Sequence, residues 1–294
     1  MILDKLKTAE LIHPPHWLPN NTIMLMKMGS QAYGVSNDDS DMDVYGVCMP
    51  PKELVFPHLA GEIPGFGRQI QRFDIWQEHH IKDPSGKVEY DFAVYSIIKF
   101  FQLCMDNNPN MLDSLFVPRN CLIHSTQVAE RIREQRKLFL HKGSWHKFKG
   151  YAYAQMHKIK NKSNASNPKR DASIKQYGYD LKFAYHIVRL LNEVEQILVE
   201  HDLDIQRNRE QLKSIRRGEW TFEMLDEYFH AKEKTLEEVY AKSTLQHGPD
   251  EEKIKALLLE CMEAHYGNLS AAVVRVPQLS ALVNELTALV ERYK

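Results

Sequence analysis

Residues 28–47 read Met-Gly-Ser-Gln-Ala-Tyr-Gly-Val-Ser-Asn-Asp-Asp-Ser-Asp-Met-Asp-Val-Tyr-Gly-Val, and their order decides the fold. The apolar run Thr22–Met28 in front of them has the length and composition of a short buried strand. Gly29 then lets a backbone approach a neighbour closely, and Ser30 is suited to cap a helix that begins there. Backbone N–H groups at such a helix start point outward and attract anions. Further on, Asp41 and Asp43 alternate with the apolar Met42 and Val44. Residues two apart on a strand share a face, so the two carboxylates point one way while the apolar pair enters the core.

Two carboxylates side by side repel unless a cation lies between them. Oxygen ligands that leave open positions suit Mg²⁺ carrying bound phosphates, with Mn²⁺ as the alternative ion. A calcium loop of the EF-hand kind does not fit. Started at Asp39 it would need Gly at 44 and Glu at 50, where the chain has Val44 and Pro50. A Ser/Asn/Asp run on its own is usually a solvated turn. The succession of strand, Gly-Ser, short helix and acidic pair on a second strand is what lifts this one above that reading.

With 294 residues, 43% hydrophobic and 26% charged, the chain has the make-up of a globular protein of one or two domains. No apolar run approaches the ~20 residues that span a membrane, and the four cysteines are widely spaced without a Cys-x-x-Cys pair. A zinc ribbon and a disulfide scaffold are therefore not expected, and a reducing cytoplasm is. Net charge is −1 but unevenly spread: residues 141–190 hold 11 Lys and Arg against two acidic residues, Asp171 and Asp180. A basic belt within an otherwise acidic chain suggests a polyanion on one face.

Beyond the opening stretch, residues 52–88 are broken by Pro57, Gly61, Pro64, Gly65 and Gly67, with strand character only around Gln69–Ile75. After the turn at Asp83–Lys87, Val88–Val94 alternates as a third strand and puts Glu89 and Asp91 on one face. A helix follows from Ser96 to the break at Asn107–Asn110, where the asparagines suit a turn. From Thr126 the pattern is helical, ending in a stripe of Leu279, Leu282, Val283, Leu286, Leu289 and Val290. The expected architecture is α+β. A small mixed-sheet domain over 1–118 precedes a helical domain over 119–294.

Within the belt, Lys182, His186 and Arg189 fall at i, i+4 and i+7 of one helix face, apart from Phe183, Ile187, Leu190 and Leu191. Three cations without acid partners are costly unless an anion covers them, though a solvated face with snorkelling side chains is the plainer reading. Upstream, Lys142, Lys147, Lys149, Lys158, Lys160 and Lys162 interleave with Trp145, Phe148, Tyr151 and Tyr153. That mixture suits unpaired nucleic acid through phosphate contact and base stacking. Asn161–Asp171 reads as a loop near the substrate.

Taken together, Gly29-Ser30, Gln31–Gly34, Ser40–Asp43 and Gly178-Tyr179-Asp180-x-Lys182…His186…Arg189-Leu190-Leu191 resemble the DNA polymerase beta superfamily of nucleotidyltransferases. The wording is most similar to a stand-alone bacterial and phage group, some of it associated with RNA repair. The resemblance implies a polymerase-beta-like fold and two Mg²⁺ ions on Asp41, Asp43 and a third carboxylate. The third acid is Asp91 by its place before Tyr95–Phe100, a helix start that also matches the group, with Glu89 open as the alternative. It implies further that Gly29, Ser30, Tyr33, Lys182, His186 and Arg189 bind the nucleotide. The expected reaction moves a nucleoside monophosphate from a nucleoside triphosphate such as ATP to an RNA 3′ end, tRNA among the candidates. A protein adenylyltransferase of a toxin–antitoxin or phage-defence kind and an inactive RNA-binding module are the rivals.

Overall fold

The computed structural model describes residues 1–36, 41–56, 72–86, 88–161 and 168–267. The chain opens with α1 (Ile2–Thr8) and α2 (Leu18–Asn21), then β1 (Thr22–Lys27), α3 (Gly29–Ala32), β2 (Met42–Cys48) and α4 (Lys52–Val55). Strands β3 (Ile75–Lys82) and β4 (Glu89–Ser96) follow, then α5 (Ile97–Met105), α6 (Pro109–Phe116) and β5 (Leu122–Ser125). The remainder is helical: α7 (Gln127–Glu134), α8 (Ser144–Lys160), α9 (Pro168–Tyr177) and α10 (Leu181–Glu200), then α11 (Arg209–Arg216), α12 (Phe222–Lys242) and α13 (Glu251–Tyr266). No described helix is long and apolar enough to cross a membrane, and all four cysteines are buried thiols.

The sheet order is β3-β4-β2-β1-β5, with β2 and β4 parallel and the other neighbours antiparallel. This mixed sheet with helices in separate runs is an α+β fold. Alternation along the strands divides the sheet between two cores. Leu25, Val44, Phe92 and Val94 pack with Leu3, Leu6 and Leu18 beneath one face. Met24, Met26 and Val47 belong to the larger core on the other face, which continues through the helices as far as Met262. That continuity leaves no break at residue 118, and β5, beyond that position, still hydrogen-bonds to β1.

Local chemistry explains the helix starts. Ser96, Asn108, Thr126, Asp180, Thr221 and Asp250 each accept a backbone N–H of the first turn of the helix they precede. α10 is the central helix, apolar or buried on nearly every side from Ala184 to Leu198, and it packs chiefly against α8 and α12.

Two readings are corrected. The strand after the glycine-rich region begins at Ile75, where it was expected to end, and residues 57–71 lie outside the described ones. The second half of the expected loop Asn161–Asp171 is the start of α9; residues 162–167 are not described. Proline at the first position of that helix is compatible with it, because its missing N–H would have been unpaired anyway. The apolar stripe over 279–290 also falls outside the described residues.

Candidate active site

Strand pairing builds the centre of the site. Asp43 and Asp91 are register partners on the parallel strands β2 and β4, so their side chains leave the same face of the sheet side by side. It is the face of the large core, while Val44 and Phe92 go to the smaller one. On the other side of β2, the Met28 N–H donates to the Asp43 carbonyl at 2.8 Å and carries the chain into the Gly29 turn. Gly29 has φ +57°, and a Cβ there would lie 1.9 Å from Asp43 Oδ2. The carboxylate occupies the space a side chain would have taken.

Ser30 does not cap α3. Met28 holds that position, and Ser30 lies one residue inside the turn, where its carbonyl accepts the Val35 N–H at 2.9 Å. Two side chains from the far end of the sequence grip this turn. Gln206 Nε2 donates to the Ala32 carbonyl at 2.7 Å, and Arg216 donates to the Val35 carbonyl.

A cavity of about 720 Å³ opens over these groups. Gly29, Ser30, Tyr33, Asp41, Asp43 and Asp91 form its floor, and Lys182, Tyr185 and His186 at the start of α10 form a wall. The volume is within the ~300–1,000 Å³ usual for small-ligand sites. Burial raises the Asp43 carboxyl above the ordinary carboxylate value. Lys182 across the cavity pulls it down, and Asp91 and Asp41 push it up. A crowded, half-buried acidic group facing a lysine is an arrangement that a cation would relieve.

Asp91 is steadied by an irregularity in β3. The β3–β4 register shifts between Glu78 and Ile81, and His80 there has φ +58°. The His80 N–H thereby reaches Asp91 Oδ1 at 2.8 Å, with His79 Nδ1 at 3.5 Å from the same oxygen. Glu89 instead meets the His80 ring at 2.7 Å and does not line the cavity. Neither histidine was expected from the sequence; only a bulge can turn that backbone N–H onto a neighbouring strand's side chain.

Arg189 departs from the expectation. The helix face is the anticipated one, but Arg189 lies beneath the cavity floor, buried, with two acid partners, Asp113 and Glu193. Tyr33 meets the cavity, yet its hydroxyl points inward and donates to Asp113 Oδ2 at 2.7 Å. Part of the basic belt is also spent within the fold. Lys149 pairs with Glu233 at 2.7 Å and Glu237 at 3.0 Å, and Lys160 with Asp226 at 2.9 Å. Lys142 is buried, as are Trp145 and Phe148. The acidic residues of α12 thus neutralise two lysines of what looked like an open polycation, which local charge counting along the chain does not detect.

The sequence reading also passed over lining residues on α9, Ser173, Gln176 and Tyr177, while Arg216, which fits the resembled family's pattern but reads by itself as a helix end, lines the cavity too. Gln176-Tyr177 stands directly before the Gly178-Tyr179-Asp180 motif, the one signal that could have marked it.

Among the described residues no three His, Cys, Asp or Glu side chains converge tightly enough to enclose a metal ion by themselves. The donor set nonetheless fits a hard divalent cation completed by substrate. Asp43 and Asp91 are adjacent oxygen donors with Asp41 beside them on the same cavity, and Mg²⁺ usually takes one or two carboxylates, with waters and phosphate oxygens filling the rest.

The site is thus a sheet bearing paired acids beside a Gly-Ser turn, faced across one cavity by a lysine-bearing helix. The chain belongs to the RNA repair pathway DNA polymerase beta family, whose model matches residues 2–270. It is 24% identical over 224 residues, 73% of its length, to an uncharacterized 38.9 kDa protein from the nrdC-mobD intergenic region of Enterobacteria phage T4, and spans 57% of that protein. A crystal structure of a nucleotidyltransferase-like protein from Exiguobacterium sibiricum 255-15 aligns over 81% of this chain and 73% of its own, at 9% identity and a TM-score of 0.29.

Proposed function

We propose that the protein transfers a nucleoside monophosphate from a nucleoside triphosphate to a hydroxyl at an RNA 3′ end, releasing pyrophosphate. The observation that carries this is the Asp43–Asp91 register pair packed against Gly29 and facing Lys182 across one cavity. In the reaction an acceptor oxygen attacks the α-phosphorus and the bond to the β-phosphate breaks. The acceptor's proton is lost, and the electron pair leaves on pyrophosphate. Asp41, Asp43 and Asp91 would hold a divalent cation, Mg²⁺ or Mn²⁺, which when bound screens phosphate charge and makes the attacking hydroxyl more acidic. Ser30 and the backbone N–H groups after Gly29 receive the β- and γ-phosphates. Lys182 and His186 offset negative charge as it builds on the leaving group. The His80 N–H keeps the Asp91 carboxylate aimed, so that it need not reorganise during the reaction.

RNA as acceptor is supported by the family's RNA-repair description, with tRNA as the first substrate to try. Transfer to a protein hydroxyl is the second reading. It is favoured by the internal pairing of Lys149 and Lys160, which takes these two lysines out of any RNA platform. Each of the four α-labelled ribonucleoside triphosphates, incubated with Mg²⁺, a tRNA pool and cell lysate, separates the readings by where label appears. Label on RNA supports the proposal, and label on protein supports the rival. No label on either would point to an RNA-binding module without activity. Asp41→Asn and Asp43→Asn should abolish transfer while the fold stays intact, and full activity in both would refute the assignment.

A further inference from the structure

Below the floor of the cavity lies a charged cluster that bonds to the lining residue Tyr33. Arg189 Nη1 donates to Asp113 Oδ2 and to Glu193 at 3.0 and 3.2 Å, and its guanidinium sits 4.3 Å over the Tyr33 ring. The Tyr33 hydroxyl completes the set on Asp113 at 2.7 Å. All four residues are buried. They come from three elements: the end of the Gly29–Ala32 turn, α6 and α10.

Stability does not account for this cluster. Two carboxylates and one guanidinium are expensive to take out of water, and apolar side chains of similar volume commonly serve a fold as well or better. The set is also incompletely satisfied, since Asp113 Oδ1 and Arg189 Nε have no hydrogen-bond partner among the described residues. What it does supply is fixed geometry. The Tyr33 N–H closes the turn on the Gly29 carbonyl at 3.2 Å, so holding Tyr33 holds Gly29 and Ser30. The same α10 that carries Arg189 and Glu193 presents Lys182 and His186 to the cavity, about two turns and one turn before Arg189. Floor and wall are therefore joined by one rigid, directional link.

We propose that Asp113, Arg189 and Glu193 are positioning residues that, through Tyr33, set the Gly29–Ser30 turn against the α10 wall, so that triphosphate affinity depends on a cluster the triphosphate never touches. The proposal rests on the nucleotidyltransferase reading. Arg189→Met would strand two buried carboxylates and is expected to unfold the protein, so the informative variants are milder. Tyr33→Phe removes one hydroxyl and keeps the ring. Asp113→Asn and Glu193→Gln each replace a carboxyl group by an amide at nearly constant shape.

The test uses the full chain with Mg²⁺, the four ribonucleoside triphosphates, inorganic tripolyphosphate and the four nucleosides, with thermal midpoints to confirm folding. Affinity for triphosphates and for tripolyphosphate should fall by about ten- to hundredfold, by analogy with the loss of a group that orients a metal ligand from behind. Nucleoside affinity should be unchanged. Folded variants with wild-type triphosphate affinity, or with triphosphate and nucleoside weakened in equal proportion, would overturn the positioning role alone. A wild-type protein that binds no triphosphate would bring down the nucleotidyltransferase reading, and this inference with it.

Discussion

Replacing Gly29 by Ala tests the geometry at its tightest point. The new Cβ would fall 1.9 Å from Asp43 Oδ2 and 2.9 Å from its Cγ. To reach even 3.0 Å, the closest approach that real Cβ atoms show, the carboxylate must retreat by about 1.1 Å. The backbone adds its own cost, because φ +57° places residue 29 in the left-handed region, worth about 1–2 kcal/mol against a residue with a side chain. Displacing a reacting group by about 1 Å typically slows catalysis by ~10²-fold, or ~2.7 kcal/mol in the barrier. The expected variant is thus folded, less stable by denaturant titration by the about 1–2 kcal/mol of the backbone plus the cost of the Asp43 contact, and slowed at least ~100-fold in kcat/KM. A double-mutant cycle with Asp43→Ala sharpens the measurement. Removing the carboxylate should recover the contact part of the stability loss while the backbone part remains, giving a favourable coupling between the two sites. Gly29→Ala with the wild-type transfer rate, or strict additivity with Asp43→Ala, would refute the placement of Asp43 over Gly29.

Three other outcomes follow from the same structure. Lys149→Ala should cost about 1 kcal/mol, since it loses Glu233, Glu237 and the Trp145 ring at 5.1 Å, and should leave transfer to RNA unchanged; a selective fall in RNA affinity would restore the belt as an interface. Gly218→Ala combines φ +76° with a Cβ 2.0 Å from the Tyr177 ring, so a stability loss of about 1–2 kcal/mol should come with a raised KM for triphosphate, measured by steady-state kinetics. His141 is buried, with Nε2 2.8 Å from the Met105 carbonyl and Nδ1 accepting the Gly143 N–H at 3.1 Å, and burial holds its pKa below the ordinary imidazole value. The unfolded chain therefore takes up this proton more readily than the folded one. Its stabilisation is complete above pH about 6.5 and declines as pH falls from there towards the lowered folded value, so urea midpoints at about pH 7.5 and about pH 5.5 should differ, and His141→Gln should shrink the difference.

The sequence by itself determined the elements whose signals are local. Period-two alternation placed Asp43 and Asp91 on strands, and the Gly-Ser pair marked the turn between β1 and β2. The spacing of Lys182 and His186 apart from Phe183 and Ile187 put them on one face of a helix. Each depends on neighbours within a few residues, whose chemistry is readable in a line. Tertiary structure decided which charges were free and which were consumed. Lys149 and Arg189 look alike in the chain to Lys182, a cation on a helix. They differ only because Glu233 lies across from one, Asp113 lies beneath another, and the third faces open space above Asp43. The bulge that hands the His80 N–H to Asp91, and the Arg216 grip on the turn after Gly29, likewise join residues brought together by packing. A side chain's availability for chemistry is set by partners distant in sequence, and those partners exist only once the chain has folded.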